Sequence, residues 1–222
     1  GADAIAVSWT AVEYTGSNWR VQRVSHTYTT AGVNEFETLP TALASTTQAF
    51  VHAQRRAGLN LTGLDEFGHE VFVNSTTQIG FQIQSGATTP NLQTSVAWVI
   101  ENLQTTGIPM NVQRVANPQT GGVEPLATNV NIPSALTTTT TASIFINNRN
   151  DNTGSTFPRP IIGARIISNT QFELWNSDTG TTRNYRVEIV TWPTAVRTLT
   201  QNYYRCIVDC VPPSVRCAGC VV

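Results

Sequence analysis

The residues with the clearest chemistry are four cysteines near the end of the chain. They lie within the last seventeen residues, at Cys206, Cys210, Cys217 and Cys220. Thiolates spaced by two and three residues can hold zinc, whereas an oxidising compartment would join them into two disulfides that staple a short tail. We expect disulfides in preference to zinc, and free or intermolecular thiols are a third option. Of the three pairings that four cysteines allow, we favour the nested one, Cys206–Cys220 with Cys210–Cys217.

The histidines and carboxylates do not form a pattern typical of a metal or catalytic site. His26, His52 and His69 occur in unrelated contexts, with no HExxH motif. An acidic stretch at 65–70 and an Asn-rich stretch at 147–154 could each surround a metal ion, but both are more typical of solvated loops. The chain contains no nucleophile elbow, phosphate-binding loop or dinucleotide-binding motif. We therefore expect no enzyme activity, no catalytic residue, no metal and no cofactor.

The composition argues against nucleic acid and membrane partners. Charged residues make up 12% of the chain, the formal net charge is −1, and all 13 basic residues are arginine. A chain with so little positive charge lacks the field that attracts nucleic acid. No apolar run reaches the roughly 20 residues of a membrane helix, so no membrane span is expected. A weakly charged surface does little to keep copies apart, which favours an assembled protein.

One sequence pattern occurs three times along the chain. Residues 7–14 read Val-Ser-Trp-Thr-Ala-Val-Glu-Tyr and are followed by Val-Gln-Arg-Val at 21–24. The pattern returns at 96–101 and 112–115, with its tryptophan 89 residues after the first, and again in degenerate form at 185–192. Apolar and polar residues alternate as in a strand with one buried face, and each copy is predicted to form a hairpin with the apolar run after it. The period indicates a tandem repeat.

Further strands are predicted between the copies, in the same order each time. Strands are expected at 48–53 and 70–73, and a turn followed by a strand at 75–83; segments 143–146 and 168–175 match the first and last of these. Short strands separated by Gly, Pro, Asn and Thr, with no sustained helical period, favour antiparallel β-sandwiches. Helix should therefore be scarce.

The predicted fold class is all-β, with two tandem antiparallel β-sandwich domains and a short Cys-rich C-terminal tail. The boundaries fall at 1–115, 116–205 and 206–222. An offset of 89 residues places Val187 where the previous copy has Trp98. The side chains predicted to point into cores are Trp9, Phe50, Phe81, Trp98, Val112, Phe145, Phe172 and Val187.

The first copy of the pattern stands before any set of strands that it could close. It either pairs within the first sandwich beside the second copy, or leaves to complete a neighbouring molecule by strand addition. The sequence leaves both alternatives open. The residues of this predicted assembly strand are Ile5, Val7, Trp9, Ala11 and Val12.

A family resemblance adds to this interpretation. Residues 74–83, followed after a turn by 95–100, resemble the closing strands of the H-type lectin fold, a six-stranded antiparallel sandwich that ends in a Trp-bearing strand, and residues 169–174 are similar. The chain also resembles repeats with a W-x-V-E…V-Q-R pattern in large bacterial, archaeal and phage surface proteins. The resemblance implies a β-sandwich fold and an extracellular, cell-surface or virion location. H-type lectins bind N-acetylgalactosamine-type sugars at a trimer interface, and we transfer none of their ligand residues to this chain.

Two functions are consistent with these observations. We expect a structural subunit of an extracellular filament, sheath or virion or tail assembly, which polymerises with itself through β-strand contacts. Such contacts remove strand edges that would otherwise aggregate, and a donated strand makes a head-to-tail contact that does not close. The cysteines could then lock subunits covalently. The alternative is a lectin-like carbohydrate-binding module with glycans as its partners.

Overall fold

The structure is a computed structural model that describes residues 13–14, 16–56, 69–83, 90–116, 126–150, 162–176 and 183–193. These residues are mostly β-strand and include no α-helix; short 3-10 turns occur at Thr46–Gln48 and Pro90–Leu92. The expected scarcity of helix is confirmed for this part of the chain. None of its elements is a helix with the length and apolarity needed to cross a bilayer.

The described residues contain twelve strands, which we divide into two halves. The first half comprises β1 Trp19–Thr27, β2 Glu35–Thr38, β3 Ala49–Arg56, β4 His69–Val73, β5 Gln78–Ile83 and β6 Thr94–Asn102. The second half comprises β7 Asn111–Ala116, β8 Leu126–Asn131, β9 Ala142–Asn150, β10 Ile162–Ile166, β11 Gln171–Asn176 and β12 Arg183–Thr191. The strands predicted within 48–53, 70–73, 75–83, 143–146 and 168–175 are all confirmed.

The strands form four small antiparallel sheets, and the two halves are paired in the same way. Sheet A has the order β1-β6-β3 and sheet B β2-β5-β4, while sheet C has the order β7-β12-β9 and sheet D β8-β11-β10. The hairpin predicted for the second copy of the pattern is therefore wrong, because β6 pairs with β1 and β3 whereas β7 pairs with β12. The predicted boundary at 115 falls inside β7, and sheet pairing instead divides the halves in the link 103–110.

Two equivalent turns repeat the same hydrogen bonds. Before β5, the Thr77 N–H donates to the Ser75 hydroxyl at 3.2 Å; before β11, the Thr170 N–H donates to the Ser168 hydroxyl at 3.2 Å. Hydroxyl side chains favour such turns because they replace a backbone acceptor locally. The repeat seen in the sequence is thus also a repeat of local structure.

Two glutamines fix the correspondence between the first strands of the halves. The Gln22 side chain exchanges hydrogen bonds with the backbone of Thr41 at 2.9 and 2.8 Å, and Gln113 does the same with Ser134 at 2.9 and 2.6 Å. Both glutamines lie on the inner face of an edge strand and tie a loop to it. We therefore treat β1 and β7 as equivalent through these two residues.

This correspondence corrects the predicted register of the third copy. Val99 lies opposite Gln22, and Ile189 lies opposite Gln113, so β6 and β12 correspond at an offset of 90 residues rather than 89. Glu188, and not Val187, occupies the position of Trp98. A shift of one residue moves a side chain to the other face of a sheet, which is why Val187 is inside its half whereas Trp98 is on an outer face.

Three hydrophobic clusters hold the structure together. The first contains side chains of sheets A and B, and the second contains side chains of sheets C and D. The third lies between the halves and consists of Phe50, Ile100, Met110, Val112, Val190 and Trp192. Burying these apolar side chains is the main contribution to stability.

The predicted core residues divide among these clusters. Phe81, Phe172 and Val187 are fully buried within their halves, as predicted. Phe50 and Val112 are buried too, but in the third cluster, against which Trp98 and Phe145 are half-buried. Trp9 lies outside the described residues.

Candidate assembly interface

The two predicted sets of functional residues both lie outside the part of the chain that the structure describes. They are the assembly strand (Ile5, Val7, Trp9, Ala11, Val12) and the cysteines (Cys206, Cys210, Cys217, Cys220). Among the described strands, β6 has β1 on one side and β3 on the other.

The two halves meet through the outer faces of sheets A and C, meaning the faces turned away from sheets B and D. Strand register arranges each face in three rows of three side chains. The rows of sheet A are Val21-Ile100-Phe50, Arg23-Trp98-His52 and Ser25-Val96-Gln54. The corresponding rows of sheet C are Val112-Val190-Ser143, Arg114-Glu188-Phe145 and Ala116-Arg186-Asn147.

Aromatic side chains form the centre of this interface. Phe50 stacks on Phe145 with ring centroids 4.9 Å apart, and Trp192 meets Phe50 edge-on at 5.5 Å. The Trp192 indole N–H donates to the buried Ser143 hydroxyl at 2.8 Å. Aromatic pairs in these arrangements add to the free energy gained from burial, so aromatic packing joins the two halves.

An ion pair between the half-buried Arg114 and the buried Glu188 of the second half covers the edge strand β3. The Arg114 guanidinium donates to Glu188 at 2.8 Å, to the Thr46 carbonyl at 2.7 Å and also to the Ala49 carbonyl. The second oxygen of Glu188 accepts the Val51 N–H at 2.9 Å. These side chains satisfy backbone groups of a strand edge that would otherwise be open.

Burial dominates the electrostatics of Glu188. Desolvation raises the pKa of this carboxyl, while the charge of Arg114 and the hydrogen bonds from Val51 and Arg114 act in the opposite direction. A buried carboxylate is costly unless it is paired and hydrogen-bonded, and here its oxygens have partners in both halves. The pair therefore stabilises one particular arrangement of the halves.

Two residues of the third row of sheet C, Arg186 and Asn147, contact strand β4. The Arg186 guanidinium lies over the Phe72 ring, 3.6 Å from its centroid, and its Nε is 3.5 Å from a Glu70 oxygen. Asn147 donates to the Val71 carbonyl at 3.3 Å. Phe72 in turn covers Gly80, where an added Cβ would overlap the ring. A cavity of about 40 Å³, the size of a water molecule or two, remains between β4 and β12.

The equivalent face of the first half is much less covered. Val21 is 48% exposed, whereas its counterpart Val112 is 3% exposed. Arg23 and His52 are exposed, and Trp98 is half-buried. Thus the second half has most of its outer face against the first half, with Ala116 exposed, while the first half keeps a partly apolar strip in solvent.

A separate ionic cluster lies in the first half between β1 and β2. His26 Nε2 is 2.5 Å from a Glu35 oxygen, and its Nδ1 is 2.9 Å from a Glu37 oxygen. Both nitrogens can donate to these carboxylates only when the ring is protonated. Within the described ranges, no group of three His, Cys, Asp or Glu residues is arranged to hold a metal ion.

Arg114 and Glu188 were not predicted as interface residues. The repeated Val-Gln-Arg-Val motif and an acidic residue inside an apolar strand were the available signals. Comparison with known protein families, with curated proteins and with solved structures gives no match for this chain. The resemblance to H-type lectin repeats therefore stays a prediction.

Proposed function

We propose that this chain is a structural subunit of an extracellular filament, sheath or virion or tail assembly, and that it polymerises with itself through β-strand contacts. Its halves are then two tandem β-sandwich repeats followed by a Cys-rich tail. The observation that supports this most is the unequal cover of the two outer faces: 48% exposure of Val21 against 3% for Val112. We take the strip as a candidate contact surface, because contiguous exposed apolar patches mark interaction sites.

The N-terminal strand is the proposed means of assembly. The centre strands β6 and β12 each have two neighbours, so an added strand can join these sheets only at an edge. A strand lent by one subunit to the next makes a heterologous contact, which extends into a polymer when it does not close. The cysteines would lock the tail or join subunits covalently.

Deleting residues 1–14 tests the proposal. Light scattering and negative-stain microscopy of the intact chain should show polymers, and the deletion should leave single subunits. Replacing the polar residues Ser8 and Thr10 by alanine is the matched control, because it keeps the length and the apolar face of the strand. Assembly that survives the deletion would refute strand lending, and an intact chain that stays monomeric at all concentrations would refute the polymer.

A sugar-binding role is the alternative. The described residues give it less support than they give assembly. The cavity between the halves, at about 40 Å³, is far below the roughly 300 Å³ or more of typical ligand pockets. Calorimetric titration with N-acetylgalactosamine and related sugars tests this role. Saturable heat with the deletion variant, which cannot polymerise, would favour the lectin alternative.

A further inference from the structure

A single histidine side chain joins the two sheets of the first half at one corner. His26 lies on the inner face of β1, an edge strand of sheet A, and is 7% exposed. Its ring reaches β2, an edge strand of sheet B: Nε2 is 2.5 Å from a Glu35 oxygen, and Nδ1 is 2.9 Å from a Glu37 oxygen. No backbone pairing joins β1 to β2 in the described sheets. The two contacts therefore tie together strands that no ladder connects.

Aromatic packing fixes the orientation of this ring. The His26 ring stacks on Phe81 with centroids 4.9 Å apart and planes inclined by 23°, and it meets Tyr28 edge-on, also at 4.9 Å. Both aromatic side chains are fully buried, so neither can move aside without disturbing a close-packed core. Each ring nitrogen therefore keeps facing its own carboxylate, whether or not the ring is protonated.

The number of protons on the ring decides how many of these contacts are hydrogen bonds. A protonated imidazole has two N–H donors, whereas the neutral ring has one donor and one lone pair. The neutral ring would turn its lone pair towards Glu35 or Glu37, and a repulsive contact would replace a charge-assisted hydrogen bond. Histidine is the side chain that ordinarily changes its charge between about pH 5 and 8. The strength of this corner should therefore depend on pH in that range.

Glu35 extends the contact to the turn that precedes β2. Its carboxylate accepts the Thr29 N–H at 3.0 Å and the Thr30 N–H at 2.7 Å, and the Thr29 hydroxyl also donates to it. The same carboxylate thus orders the first residues after β1 and faces the His26 ring. A change at the ring should therefore affect both β2 and the turn between β1 and β2.

The other titratable groups near the ring on sheets A and B can be separated from it. Burial raises the pKa of Tyr28 to about 12, so this hydroxyl keeps its proton and its hydrogen bond to Ser95 at 2.7 Å. Arg55 lies in the same row of sheet A as Ser95 and His26, and an arginine stays charged. On β4, His69 shares a face with core residues of that strand. A change of charge near neutral pH on these elements therefore comes from one of the two histidines.

We propose that His26 is a pH-sensitive latch, which holds β2 against β1 while its ring is protonated and releases the β2 edge when the ring loses a proton. The second half has no equivalent, because Thr128 and Val130 occupy the positions of Glu35 and Glu37 in the strand register. The latch is thus an asymmetric feature of the first half. It does not depend on the proposed assembly.

Magnetic resonance of the full chain between about pH 5 and 8 tests the latch, at concentrations where light scattering shows single chains. Ring nitrogen signals report the protons of each histidine, and protection factors, which remove the intrinsic effect of pH on amide exchange, report β2. The Leu39 N–H bonds the Thr77 carbonyl, so alternation directs the Glu35 and Glu37 amides towards β5 as well. Their protection should fall at least about tenfold as the His26 ring loses its proton, the effect of losing one charge-assisted hydrogen bond.

Glu37→Gln is the informative variant, because a side-chain amide can either donate to or accept from Nδ1 and so suits both forms of the ring. The fall in protection of the Glu35 amide should shrink, while the fold is kept because the Glu37 side chain is 40% exposed. His52→Gln is the matched control: it replaces an exposed histidine of the same half and should leave the fall unchanged. The Thr128 amide of the second half should not respond in any of these proteins.

Four results would overturn the latch. The His26 ring could keep the same number of protons throughout this range. Protection in β2 could stay constant while the ring changes state, or follow the ring of His69 instead. Glu37→Gln could keep the whole dependence on pH. An equal fall at Thr128 would show that the chain unfolds as a whole rather than releasing one edge.

Discussion

The outer face of sheet C contacts the first half in all three of its rows, whereas that of sheet A is covered mainly in the row that holds Ile100 and Phe50. Both faces have the same strand order and an arginine at the same position, Arg23 or Arg114. The residue beside this arginine differs: Trp98 in the first half and Glu188 in the second. Equivalent backbones can thus provide an internal contact in one half and an external surface in the other.

The largest effect is expected in the first row, where Phe50 of the first half corresponds to Ser143 of the second. Phe50→Ala removes a ring that is 1% exposed, and we expect a loss of about 4 kcal/mol in the free energy of unfolding. Ser143→Ala removes only the acceptor of the Trp192 N–H and should cost about 1–2 kcal/mol. Urea denaturation measures both. Equal losses would show that the third cluster is not a packed core.

The second row contains the buried carboxylate of Glu188, and the control is the carboxylate of a more exposed ion pair. Glu188→Ala leaves Arg114 without its charge partner and the Val51 N–H without an acceptor, at an expected cost of about 3 kcal/mol. Glu173, whose partner Arg165 has a side chain 52% exposed, is the control, and Glu173→Ala should cost less than about 1 kcal/mol. The same denaturation measurement applies. A small effect of Glu188→Ala would mean that the halves do not depend on this ion pair.

The two valines at equivalent positions test the difference in cover directly. Val112→Ala should cost about 2 kcal/mol because the side chain is 3% exposed. Val21→Ala should cost less than about 1 kcal/mol, the range of a single cross-strand pair. Thermal unfolding of the two variants at one protein concentration measures the difference. Similar shifts in Tm would mean that Val21 is as well covered in solution as Val112.

The smallest expected effect is a loss of folding stability at low pH, which we expect to arise in the first half. Partial burial alone would raise the pKa of Glu35, but hydrogen bonds from Thr29, His26 and Thr30 outweigh it, so the pKa lies below its ordinary value of 4.5. A lowered pKa contributes stability above pH 4.5 that is lost as the pH falls through the folded-state value.

Glu35→Gln should therefore reduce the loss of stability on acidification, by less than about 1 kcal/mol since the group is near solvent. Unfolding free energies at pH 6 and at about pH 3 measure this. The counterpart Thr128 in the second half cannot titrate, so Thr128→Ala is a control that should leave the pH profile unchanged. If Glu35→Gln leaves the pH dependence of the unfolding free energy unchanged, the lowered pKa of Glu35 does not contribute to stability.

Much of the strand order was predictable because its signals are local. The hydroxyl-rich turns at 75–77 and 168–170 and the alternating residues after them predict β5 and β11 directly. The partner of a centre strand is not a local property. β6 pairs with residues up to 83 positions earlier in the chain, so the turn residues after it suggested a hairpin that does not form.

The interface was not predictable for a related reason. Val96 to Ile100 are apolar at every position, because β6 is covered to some degree on both faces, and such a run does not show which residues point inwards. The alignment with β12 was consequently wrong by one residue and hid the replacement of Trp98 by Glu188. The assembly strand and the four cysteines lie outside the described residues, so their roles stay predictions.

The pairing of β1 with β6 also has a consequence for biosynthesis. β1 ends at residue 27 and β6 begins at residue 94, and a ribosome adding about 5–20 residues per second needs several seconds to make the residues between them. During that interval β6 has not yet been made, so β1 has no strand to pair with and can meet β1 of another nascent chain on the same message. A charged side chain discourages edge pairing between strands. We expect Arg23 to protect the growing chain in this way before the finished subunit exists.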